Sequence, residues 1–506
     1  MEAAHRKCKR SRLALVLVRV LLLLSILVAL LACAPAASAA ERPNVVVLMT
    51  DDQTVADLDA MPRAQALLGA GGVTFDRFYV SYPLCCPSRA TYLSGQYAHN
   101  HQVLGLHPPT GGYARFDALE SLPVWLQRAG YHTAHLGKYL NGYGSETPAD
   151  VPPGWSDWYG AVDDSTYRMW GYTLNENGTL QTYGGPFEED PRNYQTDVLA
   201  RKAVELIEQR AASTEPLFLS VAFLAPHHEG SNVRRTTGRI VRAAPRETGS
   251  LATKRFRRPR GFNEADISDK PFFLRRRPRM GPSQIARIVA NYRARQESLL
   301  AVDDAVSEIV AALRRVGQLD NTYVMLTSDN GFMQGEHRVP TGKMLPYDPS
   351  TQVPLLIRGP GLPQDEVSQA LVGNVDLAPT ILEIAGASST KPLDGRSLLG
   401  LARDPSLEPK RSLLHETGGQ RFVRRIDQDT TGAPPIRDLR SYRAIRTTRW
   451  LYVEYRGGMR ELYDLDQDPH QLRSLHRVRA YSRLQARLAR RLDRLARCAG
   501  PACLTY

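Results

Sequence analysis

The sequence predicts an α/β fold: a mostly parallel central sheet flanked by helices, with a smaller C-terminal α+β subdomain. Three observations carry this. Apolar runs at 44–50, 216–223 and 322–327 are continuous rather than alternating, the pattern of strands buried on both faces. Each run ends in polar residues of the kind that open α/β sheets carry at the carboxyl ends of their strands: Asp51-Asp52, Pro226-His227-His228 and Ser328-Asp329-Asn330-Gly331. Before the third run, Leu299, Val302, Val306, Ile309, Val310 and Leu313 recur at helical spacing, so strands alternate with helices.

Taken in order, the chain opens on a basic segment (Arg6, Lys7, Lys9, Arg10, Arg12) and an apolar run from Leu13 to Leu31 broken only by Arg19. Ala37-Ser38-Ala39 then offers a small-residue cleavage site, so residues 1–39 read as an export signal. Leu30-Leu31-Ala32-Cys33 resembles a lipoprotein box, which would instead lipidate Cys33 and tie the protein to a membrane. The expected location is secreted or cell-envelope. Pro43 closes the linker, and residues 43–405 are expected to form the main domain. Val353–Ile357 is a further strand, stopped by the turn at Gly359. After Asp394-Gly395-Arg396-Ser397 the strands shorten, as in Trp450–Tyr455, and Leu484, Leu488, Leu492 and Leu495 line one face of a basic terminal helix. This marks a C-terminal subdomain over residues 411–506.

The formal net charge is +13, with 42% hydrophobic and 23% charged residues, which excludes wholesale disorder. Losing the leader would remove six basic residues and one acid and leave +8. Six cysteines in 506 residues do not make a disulfide-built mini-fold. Cys498 and Cys503 bracket a tight loop that an oxidising compartment would close as a disulfide, whereas the adjacent Cys85 and Cys86 pair poorly with one another. Between Arg234 and Arg279 fifteen Lys or Arg face four acids. This stretch reads as a long basic insertion after the second strand, either a solvated loop or a collector of polyanionic substrate. No nucleic-acid-binding motif accompanies it.

Strand ends deliver Asp51, Asp52, Asp329 and Asn330, four oxygen ligands that suit a hard cation, Ca²⁺ with Mg²⁺ as the alternative. Either Asp-Asp or Asp-Asn-Gly alone would equally make a turn. Cys85-Cys86-Pro87-Ser88-Arg89, continuing to Leu93-Ser94-Gly95, is more specific. Here the chain resembles the type I sulfatases of the alkaline phosphatase superfamily, whose C-x-P-S-R signal directs oxidation of the first cysteine to Cα-formylglycine. Gly137-Lys138, Ala225-Pro226-His227, Thr327-Ser328-Asp329-Asn330-Gly331 with Lys343, and Glu461-Leu462-Tyr463-Asp464-Leu465 with Asp468-Pro469 match further family segments in order. The resemblance spans about residues 43–475.

It implies an alkaline phosphatase-like sandwich and a sulfuric ester hydrolase acting on a sulfated small molecule or glycan. It also implies maturation by a formylglycine-generating enzyme. Metal ligands would be Asp51, Asp52, Asp329, Asn330 and the modified Cys85. A sulfate ester repels nucleophiles, so Lys138 and Lys343 would neutralise its oxygens, with His227 or Lys343 protonating the departing alcohol. The two hydroxyls of the hydrated aldehyde would split the reaction into attack on sulfur and release of sulfate, and Arg89 would hold the diol and acids in place. Two departures stand out: Leu-Ser-Gly replaces Leu-Thr-Gly, and Leu140 stands where many arylsulfatases carry a second histidine. The Lys-Tyr-Leu-Asn version, with His99-Asn100-His101, looks more like the glucosamine-6-sulfatase branch. It leaves the second base open between His99, His101 and, more weakly, His228 and His337. Two other functions stay open: a phosphonate or phosphodiester hydrolase on the same scaffold, and an exported binding protein whose cysteine is never converted.

Overall fold

The computed structural model describes residues 42–230, 241–418 and 439–505. The export signal, Cys33 and the arginines at 234, 235 and 239 lie outside the described residues. Sixteen strands are labelled in chain order: β1 Asn44–Thr50, β2 Val73–Phe75, β3 Phe78–Tyr79, β4 His132–Gly137, β5 Asp157–Ala161, β6 Tyr172–Glu176, β7 Thr179–Tyr183, β8 Leu217–Ala222, β9 Thr322–Ser328, β10 Leu355–Arg358, β11 Glu366–Ser368, β12 Val372–Gly373, β13 Leu413–Thr417, β14 Tyr442–Arg446, β15 Trp450–Tyr455 and β16 Arg460–Asp464. Ten of them form one sheet in the order β11-β2-β10-β9-β1-β8-β4-β5-β6-β7. Its centre, β9-β1-β8-β4-β5, is parallel, and the antiparallel pairs lie outward of it. This is the expected sandwich.

All seven residues of β1 are buried because helices cover both faces. Val45, Val47 and Met49 join a core containing residues of the Cys85–Ser94 helix. Val46 and Leu48 join one containing the Gln195–Gln209 and Pro282–Arg315 helices. The last of these presents Leu299, Val302, Val306, Ile309, Val310 and Leu313 to the sheet, as their spacing predicted. Because β1, β8 and β9 run parallel, their carboxyl ends meet at one edge of the sheet, and the polar strand ends are brought together there.

The small sheet β13-β14-β15-β16 is sandwiched in its turn. Ala444, Leu451 and Val453 face the main core, while Ile445, Tyr452 and Leu462 pack with Leu488, Leu492 and Leu495 of the Ser482–Leu495 helix. Cys498 and Cys503 form the expected disulfide just beyond that helix. Glu461 is fully buried and accepts hydrogen bonds from the hydroxyls of Tyr347, Tyr455 and Tyr463 at 2.6–2.8 Å, which gives the Glu-Leu-Tyr-Asp-Leu segment a structural role. From Pro43 on the chain is one compact unit. Among the described residues no helix is long and apolar enough to cross a membrane.

Candidate active site

Backbone geometry places the first two acids. Asp52 adopts φ +68°, a left-handed conformation that non-glycine residues seldom take and that is characteristic of functional turns. Surrounding bonds hold it there: its N–H donates to Asp329 Oδ1 at 3.2 Å, and Arg295 Nη2 donates to its carbonyl at 2.6 Å. Arg295 also donates to the carbonyl of Pro226, so one buried guanidinium ties the ends of β1 and β8.

Cys85 is the first residue of the Cys85–Ser94 helix, every residue of which is buried. The exposed N–H groups and partial positive charge of a helix N-terminus favour an anion at this position. Gly95 ends the helix at φ +65°, where a side chain would meet Leu393 at 2.8 Å. The Gly137-Lys138 pair has a comparable logic. A Cβ on Gly137 would stand 2.2 Å from the carbonyl of Ala222, so only glycine lets β4 finish against β8, where Lys138 N donates to that same carbonyl.

The nine predicted site residues converge. Lys138 Nζ donates to Asp51 Oδ2 at 2.6 Å, and Lys343 Nζ donates to Asp52 Oδ1 at 2.6 Å and to Cys85 Sγ at 2.8 Å. Cys85 Sγ lies 3.2 Å from Asp51 Oδ1. Arg89 Nε donates to Asp329 Oδ2 at 2.8 Å and Nη1 to the carbonyl of Lys138 at 2.7 Å. Asn330 Nδ2 donates to Asp52 Oδ1 at 2.5 Å, and His227 Nε2 stands 3.6 Å from Asp52 Oδ2. Burial opposes the charge on Asp51, but Lys138, His227 and Arg89 outweigh it and hold the carboxyl below its ordinary range. Asp329 and Asp51 likewise keep the buried Arg89 charged against its desolvation.

Whether this cluster fits a hard cation is decided by its oxygens. Asp52 Oδ2 and Asn330 Oδ1 are buried with no hydrogen-bond partner, a costly state for two polar atoms unless a ligand satisfies them. Ligand atoms of Asp51, Asp52, Cys85 and His227 lie within 4.8 Å of one another, so these residues could hold a metal ion. The donor set is dominated by oxygen, and it fits.

The candidates for a second base fall elsewhere. His99 is engaged by Glu416 and the carbonyl of Cys498. His101 lies between Thr91 Oγ1 and Val103 N, and burial lowers its pKa to about 3. His337 pairs with Glu264 at 2.6 Å, and His228 contacts Asn291 and the ring of Phe332. Leu140 is buried in the apolar core. Two neighbours carried no sequence signal: Arg295, and Tyr167, whose ring lies 4.4 Å from Lys138 Nζ and 4.9 Å from the His227 ring. Asn141 Nδ2 donates to the Tyr167 hydroxyl at 2.7 Å.

Comparison with known proteins is consistent with this geometry. Residues 43–387 match the sulfatase family model. The chain is 33% identical over 500 residues to human N-acetylglucosamine-6-sulfatase, covering 93% of this chain and 87% of that protein. It is 34% identical over 364 residues to an extracellular sulfatase homolog of Caenorhabditis elegans, 71% of this chain, and spans about half (49%) of that relative's length. Among solved structures, a protein in complex with its substrate D-glucosamine-2-N,6-O-disulfate superposes with a TM-score of 0.74 at 22% identity, over 89% of this chain and 97% of that one. A phosphonate monoester hydrolase of Agrobacterium radiobacter superposes with a TM-score of 0.63 at 23% identity, over 89% and 95%.

Proposed function

The chain belongs to the sulfatase family, and we propose that it hydrolyses a sulfate monoester with a formylglycine made from Cys85 and a Ca²⁺ or Mg²⁺ ion held by Asp51, Asp52, Asp329 and Asn330. One observation carries the reading. The residue in the first position of the maturation signal lies against Lys343 and Asp51, with ligand atoms of Asp52 and His227 within 4.8 Å, inside a buried site. Such a cation would shield the ester oxygens, and the hydrated aldehyde would supply a hydroxyl more acidic than a free alcohol.

The remaining work falls to the chain's own side chains. Cys85 Sγ marks where the nucleophilic oxygen would stand. Lys138 and Lys343 bring two positive charges to the sulfate oxygens, in a water-poor site where fixed charges act most strongly. Arg89 fixes Asp329 and the backbone of Lys138 and so holds the ring of ligands in register. His227 Nδ1 is 2.7 Å from the carbonyl of His228, to which it donates, so a proton passed to the leaving alcohol would be carried on Nε2 of the doubly protonated ring. With Leu140 apolar and His99 and His101 engaged by other partners, the proton transfers of sulfate release fall to groups touching Cys85 or Asp52.

The relatives point to a sulfated sugar as substrate: one is named for N-acetylglucosamine-6-sulfate, and one is solved with a disulfated glucosamine. The shared scaffold with a phosphonate hydrolase keeps a phosphoryl substrate as the second reading. Action in the cell envelope or outside the cell, after maturation by a formylglycine-generating enzyme, accords with the leader and with the extracellular relative. Mass spectrometry of the Cys85 peptide is the direct test. Conversion of –CH₂SH to –CHO removes sulfur and two hydrogens and adds one oxygen. Full turnover by protein with an unmodified Cys85 would refute the mechanism. Turnover of a phosphonate ester well above that of an aryl sulfate would favour the second reading.

A further inference from the structure

The basic stretch divides in two once its partners are known. Arg242 is buried in a bidentate pair with Glu229, Arg246 pairs with Asp197 and Asp304, and Lys270 is buried against the carbonyls of Gln471 and Leu472. These charges hold the fold. Arg255, Arg257, Arg258, Arg260, Arg276 and Arg279 are different: all six are exposed, and among the described residues none makes an ion pair.

They sit on a built surface. Phe256 anchors the 254–262 strap by packing on Tyr292 and Phe262, with ring centroids at 4.9 and 5.5 Å. Arg293 Nε donates to the carbonyl of Lys254 and Lys254 Nζ to Gln296, binding the strap to the Pro282–Arg315 helix. Asn263 exchanges two hydrogen bonds with the backbone of Met280, which brings the turn carrying Arg276 and Arg279 beside the end of the strap. The strap is also joined to the loop between Asn330 and Lys343, since His337 N donates to the carbonyl of Gly261 and Asn263 N to that of Gly335. Arg255 and Arg257 line a groove of about 870 Å³ whose walls include Thr54 and Phe332, each two residues beyond a metal-ligand candidate. Of the six acids that line the groove, Asp57, Asp348 and Asp466 are paired with Arg295, Arg446 and Arg449.

We propose that this arginine strap is an exosite for the continuing chain of a sulfated polysaccharide, engaged while one sulfate ester of that chain occupies the Cys85 centre. The proposal rests on the sulfatase reading and names its substrate as a polymer. Guanidinium groups present a planar fork that matches sulfate oxygens, and an unpaired row of them loses little by binding a polyanion. An anionic membrane is the less suited partner. None of the exposed large apolar side chains falls between residues 254 and 293, and the apolar surface beside Arg258 is limited to the partly buried Ile285 and Val289 with small neighbours.

The test uses the full chain with R255S/R257S/R258S/R260S, against a control of equal charge change, R483S/R487S/R490S/R497S, on and just beyond the terminal helix. Retention on immobilised heparin, kcat/KM on heparan sulfate and on an aryl sulfate, and sedimentation with phosphatidylglycerol vesicles are compared at several salt concentrations. Four exposed ion contacts sum to roughly tenfold in affinity. The strap variant is therefore expected to elute at lower salt and to lose roughly tenfold in kcat/KM on heparan sulfate, with a flatter salt dependence. Aryl sulfate turnover should stay within about twofold of the parent enzyme, as expected for a charge contact outside the catalytic centre. Equal effects in both variants, unchanged heparin retention, or loss of vesicle binding alone would overturn the exosite. Absence of turnover on every sulfate ester by the parent enzyme would instead refute the sulfatase reading, and heparin retention would still judge the strap.

Discussion

Lys343 Nζ stands 2.6 Å from Asp52 Oδ1 and 2.8 Å from Cys85 Sγ, so a single ammonium joins the end of β1 to the start of the Cys85–Ser94 helix. A charge fixed there meets the ester oxygens wherever Cys85 supplies the attacking atom. Lys343→Ala is expected to lower kcat on an aryl sulfate by about 10²- to 10³-fold, the usual cost of removing one preorganised transition-state contact. A change confined to KM would show that Lys343 only helps the substrate to bind.

Asp52 Oδ2 and Asn330 Oδ1, buried without a hydrogen-bond partner, lead to a prediction read by stability rather than activity. Adding Ca²⁺ or Mg²⁺ to chelated protein should raise its melting temperature. At 100 times Kd the linkage is worth about 2.7 kcal/mol. Asp52→Asn removes the charge that a hard cation requires and should abolish most of that rise. An equal rise in parent and variant, followed by thermal scanning, would place the cation elsewhere.

Tyr167 supports two catalytic candidates with one ring, 4.4 Å from Lys138 Nζ and 4.9 Å from the His227 ring. A desolvated cation–π contact is worth about 2 kcal/mol, roughly thirtyfold in rate if it is lost in the transition state. Tyr167→Leu should therefore slow kcat by about that factor, whereas Tyr167→Phe keeps the ring and should recover most of it. Equal loss in the two variants would shift the role from the ring to the hydroxyl that Asn141 contacts.

What the sequence disclosed follows from the kind of signal each element carries. β1, β8 and β9 were legible because continuous apolar runs are what a two-sided burial demands, and their polar ends named five of the nine site residues. β4 was not legible. It reads His-Thr-Ala-His-Leu-Gly, yet it is almost wholly buried because His135 stacks on Trp158 at 4.9 Å and packs against Trp155 and Tyr139. Burial lowers that imidazole's pKa to about 3 and keeps it neutral. The catalytic candidates stood in motifs, so their convergence was foreseeable. Tyr167 and Arg295 are lone residues on a loop and on a long helix, and only the assembled sheet brings them to Lys138 and Asp52. The count of basic residues concealed its own division, because Arg242 and Lys270 are buried inside the fold.

His99 yields a prediction of pH-dependent stability remote from the reaction. Its Nδ1 lies 3.1 Å from Glu416 Oε1 and its Nε2 2.9 Å from the carbonyl of Cys498, so the imidazolium donates on both sides. Partial burial disfavours the charge, but Glu416 and the Cys498 carbonyl outweigh it and raise the pKa to about 9. The folded value thus lies above the ordinary 6.5, so the contribution is complete below that pH and is lost as pH climbs through 9. What loosens is the tie between the Ala98–His101 turn and the disulfide loop at Cys498, which Asn100 also holds through Asp394. A hydrogen bond to a charged group is worth about 2 kcal/mol, enough to lower the melting temperature measurably between pH 6.5 and 9. Glu416→Gln removes the anion and should give a lower but flatter melting profile across that range, with aryl sulfate turnover unaltered at pH 6. A Glu416→Gln profile as steep as that of the parent would assign the alkaline loss to another group.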